Sequence, residues 1–375
     1  MNTKNTLIIG GGIAGMCLAI ELRKKGHPVE LIEIDPAWRI DGAGISIMAA
    51  TLRAFLQIGV LDEIIEKGWC ADGFSLSHAD GKPIGHVSTP RLAGEHRPGS
   101  GAIMRPVLAA ILAKATRASG TTVRLGVSFT SIEQTGDQVR VGFSDGTSGV
   151  YDVVVGADGV MSKTRATILP GVPAPEFTGQ GSWRAVVPRP AEIDHCTFFI
   201  GKTTKAGVNP VSKDEAYVAV LESKESDAWV PQETWLPVLK ELLMEFTGTM
   251  GALRDGLNAD SRIVYRPLYK LLVPVPWHQG RVGLIGDAIH ATTPHLASGA
   301  GLGVEDAIVL AEELSRHAAP QDAFAAFTER RFERCKLVVE GSARLGVLER
   351  SGTPESKEEH GNVMRTVIQT LIMPI

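Results

Sequence analysis

The sequence predicts an α/β fold: a Rossmann-like nucleotide-binding body, discontinuous in sequence, with an inserted sheet-rich layer and C-terminal helices. Three observations carry that prediction. A glycine-rich turn joins an apolar strand to a helix in 7-LIIGGGIAGMCLAIEL-22, and a second strand–loop–helix junction lies in 283-GLIGDAIHATTPHLASGAGLGVEDA-307. Between them, residues 171–276 are rich in proline, tryptophan and short alternating strands. Beyond the second junction the apolar spacing is helical.

In chain order, 6-TLIIG-10 reads as a buried strand, Ile13–Lys25 as a helix and 28-PVELIEI-34 as the strand completing a βαβ unit. Helical spacing returns in 106-PVLAAILAKATRA-118, where Pro106 suits a first turn. Alternation with Gly-Asp and Asp-Gly turns over 121–147 predicts a β-meander, and 151-YDVVVGADG-159 predicts a buried strand. In the inserted layer, 182-SWRAVV-187, 196-CTFFIG-201 and 215-EAYVAVLE-222 read as strands, with one helix near 232–247. Strand-like pieces at 73–99 are expected to join that layer. The α/β pattern resumes at 281-RVGLIGD-287, followed by helices over 303–318 and 321–348. The expected division is 1–72, 100–170 and 277–340 for the nucleotide-binding body, 73–99 and 171–276 for the inserted layer, and 341–375 for a C-terminal helical segment.

At 375 residues, with 44% hydrophobic and 21% charged, the chain has room for a large core or two domains. A net charge of −4 gives no basic excess of the kind that nucleic acid or an acidic membrane would attract. Cys17, Cys70, Cys196 and Cys335 are far apart and form no C-x-x-C pair, so neither a zinc site nor a disulfide framework is expected, and no metal. The N-terminal apolar run ends in glycines too early for a signal peptide, and 363-VMRTVIQTLIMPI-375 is too short to span a bilayer. A cytoplasmic protein is expected, monomer or homodimer, its last helix packed on the body or on a partner subunit.

Gly10-x-Gly12-x-x-Gly15 follows a strand and opens a helix. In such a motif the first glycine permits the tight turn, the second admits a pyrophosphate, and the third lets helix and strand pack closely. Glu33 ends the next strand, where an acid should hydrogen-bond a ribose diol. Dinucleotide binding follows, but whether NAD or FAD does not. Two further junctions bear on that choice: Asp158-Gly159 with Ser162 and Arg165, and Gly286-Asp287 followed by a P-x-x-x-x-G-x-G loop and Glu305-Asp306.

Together these segments resemble the flavoprotein aromatic hydroxylases, the single-component FAD monooxygenases related to para-hydroxybenzoate and salicylate hydroxylase. The resemblance implies that the backbone of Gly10, Gly12, Ile13, Ala14 and Gly15, with Glu33, holds the adenosine and pyrophosphate end of FAD. It implies that Asp287 holds the ribityl chain. Gly299, Ala300, Gly301 and Leu302 would then present N–H groups to the flavin's pyrimidine edge, where a helix N-terminus favours the anionic reduced ring. It further implies cofactor roles for Asp158, for Arg105 at the start of a long helix, and for Ala43 and Gly44 in an Arg-x-x-Gly-x-Gly loop beginning at Arg39. A cation at a helix N-terminus is misplaced for the dipole, so Arg105 calls for an anionic partner.

By the same resemblance, NAD(P)H is a transient electron donor, O2 a co-substrate, and the product a hydroxylated phenol-, salicylate- or pyridine-like ring formed through a flavin C4a-hydroperoxide. No second Gly-x-Gly-x-x-Gly unit is present, so NAD(P)H has no Rossmann domain of its own. A base near the substrate would form the more reactive ring oxyanion. His295, after Pro294 in the flavin-side loop, is the candidate; His290 is the competitor, and in such enzymes its position looks structural. Trp183, Arg184, His195, Asn209 and Tyr217 are possible pocket residues, with strand register deciding which face each takes. The alternative reading is another flavin oxidoreductase on this fold, a halogenase or prenyl-chain reductase; the W-x-W-x-I-P stretch of the halogenases is missing.

Overall fold

The computed structural model describes residues 3–40 and 42–375; Asp41, in the loop begun by Arg39, lies outside the described residues. A six-stranded sheet forms the body, in the order His278–Gln279, Val282–Leu284, Val153–Gly156, Thr6–Ile9, Val29–Glu33, Thr122–Leu125. All neighbours are parallel except the His278–Gln279 edge. Both faces of a parallel sheet are covered by helices, so its strands read as continuous apolar runs. Leu7, Ile8, Leu31, Val153, Val154, Val155 and Leu284 accordingly have no exposed surface.

The 121–147 segment differs from its sequence reading. Thr122–Leu125 joins the parallel sheet beside Val29–Glu33, delivered by the helix Arg105–Ala118. The antiparallel meander is instead Phe129–Thr135, Gln138–Phe143 and Ser148–Tyr151. Alternation alone does not distinguish the two, because a half-buried edge strand of a parallel sheet alternates as well.

The inserted layer is a seven-stranded sheet in the order Ile263–Lys270, Glu176–Pro188, Glu215–Ser223, Lys205–Pro210, Cys196–Ile200, Phe74–His78, Pro83–Val87. The last two strands come from the 73–99 segment. Its outer face packs Trp183, Ala185, Val208, Val218 and Val220 against Trp235, Leu239, Phe246 and Met250. Where one helix was expected there are two, Trp235–Leu242 and Gly248–Gly256, and Gly248, which opens the second, takes φ 58°.

Three helices end the chain: Gly299–Arg316, Pro320–Ser351 and Pro354–Ile372. The last is capped by the Thr353 hydroxyl, which accepts from the Ser356 N–H, and it packs on the body. Among the described residues, no helix is long and apolar enough to cross a membrane.

Candidate active site

Strand register assembles the site. Ile9 pairs with Gly156 on one side and Ile32 on the other, and Gly156 pairs with Leu284. The residues that follow, Gly10, Glu33, Ala157 and Ile285, therefore form one row at the carboxyl ends of the strands. The chain winds first to one side of Thr6–Ile9 and later to the other, which makes the gap between Thr6–Ile9 and Val153–Gly156 a switch point where ligands bind. Gly10 sits there at φ 109°, and a Cβ on it would overlap the Ala157 carbonyl.

The first junction has the shape an anion needs. Gly15 packs on the Gly10 carbonyl, too close for any side chain, whereas nothing lies within 4 Å of where a Gly12 Cβ would stand. Gly12 heads the helix Ile13–Lys24 with no side-chain cap and no acid in the first turn. Its leading N–H groups thus face open space. Glu33 is held by the Gly11 N–H at 2.7 Å and the Asp35 N–H at 2.9 Å, which fixes its carboxylate beside that turn.

Asp158 is engaged by its own loop. Its carboxylate accepts from Ser162 Oγ at 2.5 Å and from the Thr164 N–H and hydroxyl at 2.8 and 2.9 Å. Arg165 then ties this loop to the next, donating to the Ala288 carbonyl at 2.8 Å and the Val160 carbonyl at 2.9 Å.

Asp287 follows Gly286, whose φ of 63° turns the chain at the end of strand Val282–Leu284. Its side chain is open to water, yet protein surrounds it closely, as at the bottom of a hollow. That enclosure raises its carboxyl above the ordinary range, opposed by His290 and Arg105. Because the side chain is itself exposed, solvent screening offsets part of that rise. Arg105 completes this wall. Its Nε is buried without a hydrogen-bond partner. Burial, then nearby Arg184, hold its guanidinium below the usual range, with Asp287 opposing.

The second glycine loop ends this row. Ala297 takes φ 47°, a left-handed conformation uncommon outside glycine, and Ser298 leads into the helix Gly299–Arg316 without a side-chain cap or an acid in its first turn. Gly303 lies against Ala14 and Gly286, so the two glycine junctions meet there. Gly301 has a packing reason of its own: the place of its missing Cβ is taken by the Thr51 hydroxyl of the helix Ala49–Ile58. Ala43 is buried, its carbonyl accepting the Arg105 N–H at 3.1 Å, and Gly44 abuts the Tyr217 ring. Arg39 stands at the surface, donating to Asp35 at 2.9 Å.

The inner face of the seven-stranded sheet forms the opposite wall. Because Trp183, Val208 and Val218 face outward, their neighbours Arg184, Asn209 and Tyr217 face the body. Ser46 joins them: Tyr217 Oη lies 2.8 Å from Ser46 Oγ, and Asn209 Nδ2 donates to both hydroxyls at 3.0 and 2.8 Å. Arg184 Nε, like Arg105 Nε, is buried without a partner. Beside this cluster burial pushes the Cys196 thiol up to about 12, so it is a neutral wall. Trp183 lies instead in the outer core, fully buried, and donates to Glu222 at 2.8 Å. His195 is at the sheet's far side, against Asp194 and Ser75. Ser46 and Cys196 carry no motif; sheet register brings Cys196 here, and packing against the strand Gly44–Met48 brings Ser46.

His295 turns toward the long helix Pro320–Ser351. Its Nδ1 lies 2.8 Å from Thr293 Oγ1 and its Nε2 3.7 Å from Glu349 Oε2, with the side chain 1% exposed. Burial pushes it down to about 4, with Glu349 opposing. Glu349 is itself held by Lys205 at 2.6 Å and His360 at 3.1 Å.

His290 is fully buried. Its Nε2 lies 2.5 Å from Asp306 Oδ2, and Asp306 also accepts from the Gly286 N–H at 2.9 Å and Arg331 Nε at 2.8 Å. Burial works against charge on His290, but Asp306 raises it well above the ordinary range. His290, Asp306 and Cys335 are close enough to chelate a cation, but the Arg331 guanidinium already supplies the positive charge at that spot.

The uncapped helix N-termini, the open space at Gly12 and the unpartnered Arg105 Nε fit a dinucleotide with an anionic, polyhydroxy middle, as FAD has. Comparison with known proteins agrees. The family described as FAD binding domain matches residues 3–342. A Bacillus subtilis protein assigned as a FAD-dependent monooxygenase, YetM, is 33% identical over 95% of this chain and 96% of its own. The 6-hydroxynicotinate 3-monooxygenase of Bordetella bronchiseptica is 28% identical over 88% of each chain. Klebsiella pneumoniae HpxO, solved with FAD and uric acid, shares the fold at a TM-score of 0.84 and 22% identity, covering 98% of this chain and 95% of that one.

Proposed function

The chain belongs to the FAD-dependent aromatic hydroxylase family, and from that membership and the two-walled cleft we infer a monooxygenase that uses NAD(P)H and O2 to hydroxylate a small aromatic or heteroaromatic ring. Bound FAD supplies the redox and oxygen chemistry. The protein supplies position and polarity. The Gly10–Gly15 turn and Glu33 would hold the nucleotide end, Asp287 and Arg105 the middle, and Gly299–Leu302 the ring edge. The Asp158 loop, its carboxylate occupied internally, would contribute backbone.

One observation carries the substrate reading: the buried, unpartnered Arg184 Nε on the wall facing Arg105. A buried guanidinium edge without an acceptor is costly, so the ligand at this wall should bring an oxygen, best an anionic one. A ring phenolate or carboxylate meets that need. As a phenolate, a ring hydroxyl is a stronger nucleophile, and Arg184 would hold it in that form. Tyr217, whose hydroxyl burial keeps protonated, and Asn209 would fix the ring's orientation. His295 is the candidate base, acting through the Thr293 hydroxyl that bonds its Nδ1.

The test is a screen of phenols, pyridines and quinolones for compounds that stimulate NAD(P)H oxidation, with product mass read alongside. A purified protein that neither carries flavin nor gains it from added FAD would end this reading. For Arg184→Met, KM for an anionic substrate should rise by about tenfold or more while FAD stays bound, since a lost charge-assisted bond costs roughly 1.5–3 kcal/mol. An unchanged KM removes Arg184 from the pocket. The four free cysteines suit a reducing compartment, and we place the protein in the cytoplasm as a monomer or homodimer.

A further inference from the structure

A buried ionic ladder runs from the cofactor wall to the C-terminal turn. At one end the helix Pro354–Ile372 leaves its last carbonyls without intrahelical partners, as every helix does. Two arginines from the body satisfy them. Arg334 donates to the carbonyls of Thr370 at 2.6 Å and Leu371 at 2.9 Å, and Arg53 to those of Ile372 at 2.9 Å and Met373 at 2.7 Å. Cations at a helix C-terminus are also favoured by its dipole.

From there the ladder goes inward. Arg334 grips Glu305 with two parallel bonds of 2.7 and 2.8 Å, and Glu305 Oε2 is shared with Arg331 at 2.8 Å. Arg331 bonds Asp306 at 2.8 Å and reaches the Leu302 carbonyl at 3.3 Å. Asp306 holds the Gly286 N–H at 2.9 Å, on the Ile285–Gly286 peptide one residue before Asp287. Glu305, Asp306, Arg331 and Arg334 are all buried. A buried ion pair that loses one member leaves an uncompensated charge, so the rungs stand or fall together.

We propose that the C-terminal turn Thr370–Met373 is a latch for the cofactor site. Its docking on Arg334 and Arg53 is passed through Glu305, Arg331 and Asp306 to the N–H of Gly286, the residue before Asp287. Asp306 and Glu305 are thus positioning residues that set how Asp287 meets the ribityl chain, and the inference rests on that reading of Asp287. Linkage makes the effect reciprocal: a tail that strengthens cofactor binding must itself be held more firmly when cofactor is bound.

The experiment uses the full chain, stripped of flavin and titrated with FAD by fluorescence quenching, with hydrogen exchange followed over residues 365–373. FAD should slow exchange at the tail. Glu305→Gln should weaken FAD binding by about tenfold and erase that protection. In an Asp287→Asn background, the Glu305→Gln effect on affinity should largely vanish, because both act through one contact. Tail exchange indifferent to FAD, or a Glu305→Gln variant whose melting temperature falls equally with and without FAD, overturns the latch. Unchanged affinity in Asp287→Asn alone overturns instead the assignment of Asp287. Should Glu305→Gln fail to fold, Arg334→Lys, which keeps the charge and loses the paired contact, is read by the same outcomes.

Discussion

At the scale of single residues, the histidines show what position in a motif leaves undecided. His290, which ends the short helix Asp287–His290, and His295, in the turn Pro294–Leu296, are five positions apart, yet Asp306 raises the first well above the ordinary histidine range and burial pushes the second down to about 4. The low value has a consequence for stability. A histidine whose folded pKa lies below its unfolded value of about 6.5 prefers the folded state when neutral. Its contribution is therefore fully present above pH 6.5 and is lost as pH falls toward 4. Glu349, held down to about 2 chiefly by His360 and Lys205 against the cost of burial, extends the loss to lower pH. Denaturant unfolding across pH 7.5 to 4 should show His295→Gln losing less stability than the parent, by at most about 3 kcal/mol. Parallel curves would show that the imidazole is not buried neutral.

At the scale of elements, much of the fold was legible because the signals are local. The βαβ opening, the Asp158 strand and the Gly286–Asp287 junction announce themselves through apolar runs ended by glycine. What was hidden depends on partners far away in sequence. Thr122–Leu125 belongs to the parallel sheet only because Val29–Glu33 is beside it, and Ser46 reaches Tyr217 only through a packing of two sheets. Even a correctly located glycine can be explained by the wrong neighbour. Gly301 reads as a place where backbone approaches the flavin, yet its Cβ position is filled by Thr51. Gly301→Ala should thus destabilise the flavin-free protein by roughly 1–3 kcal/mol through overpacking, despite alanine's better helix propensity. Adding Thr51→Ala should restore most of the loss in thermal melts. A single variant as stable as the parent would refute the helix–helix explanation.

At the scale of the whole molecule, the inserted layer is bound to the body by contacts that cross between them. The Tyr217 ring occupies the space over Gly44, Asn209 bonds Ser46, Lys205 pairs with Glu349 on the long helix, and Arg350 donates to the Thr178 carbonyl at 3.0 Å. These crossings join the substrate wall to the loop that opens the second wall and to the helix behind His295. Two sheets with separate cores could melt separately, since the outer core around Trp183 and Trp235 is distinct from that of the body. The Asn209–Ser46 and Lys205–Glu349 crossings are half-buried, and in each a polar group of one unit finds its partner in the other. Thermal unfolding of the FAD-loaded protein should therefore be a single transition, coincident by near-ultraviolet and far-ultraviolet circular dichroism. Excess FAD should shift both signals upward together, because ligand bound between two units stabilises both. Two transitions, only one of them moved by FAD, would show instead that the inserted layer folds by itself and that the cleft between the sheets is assembled only loosely.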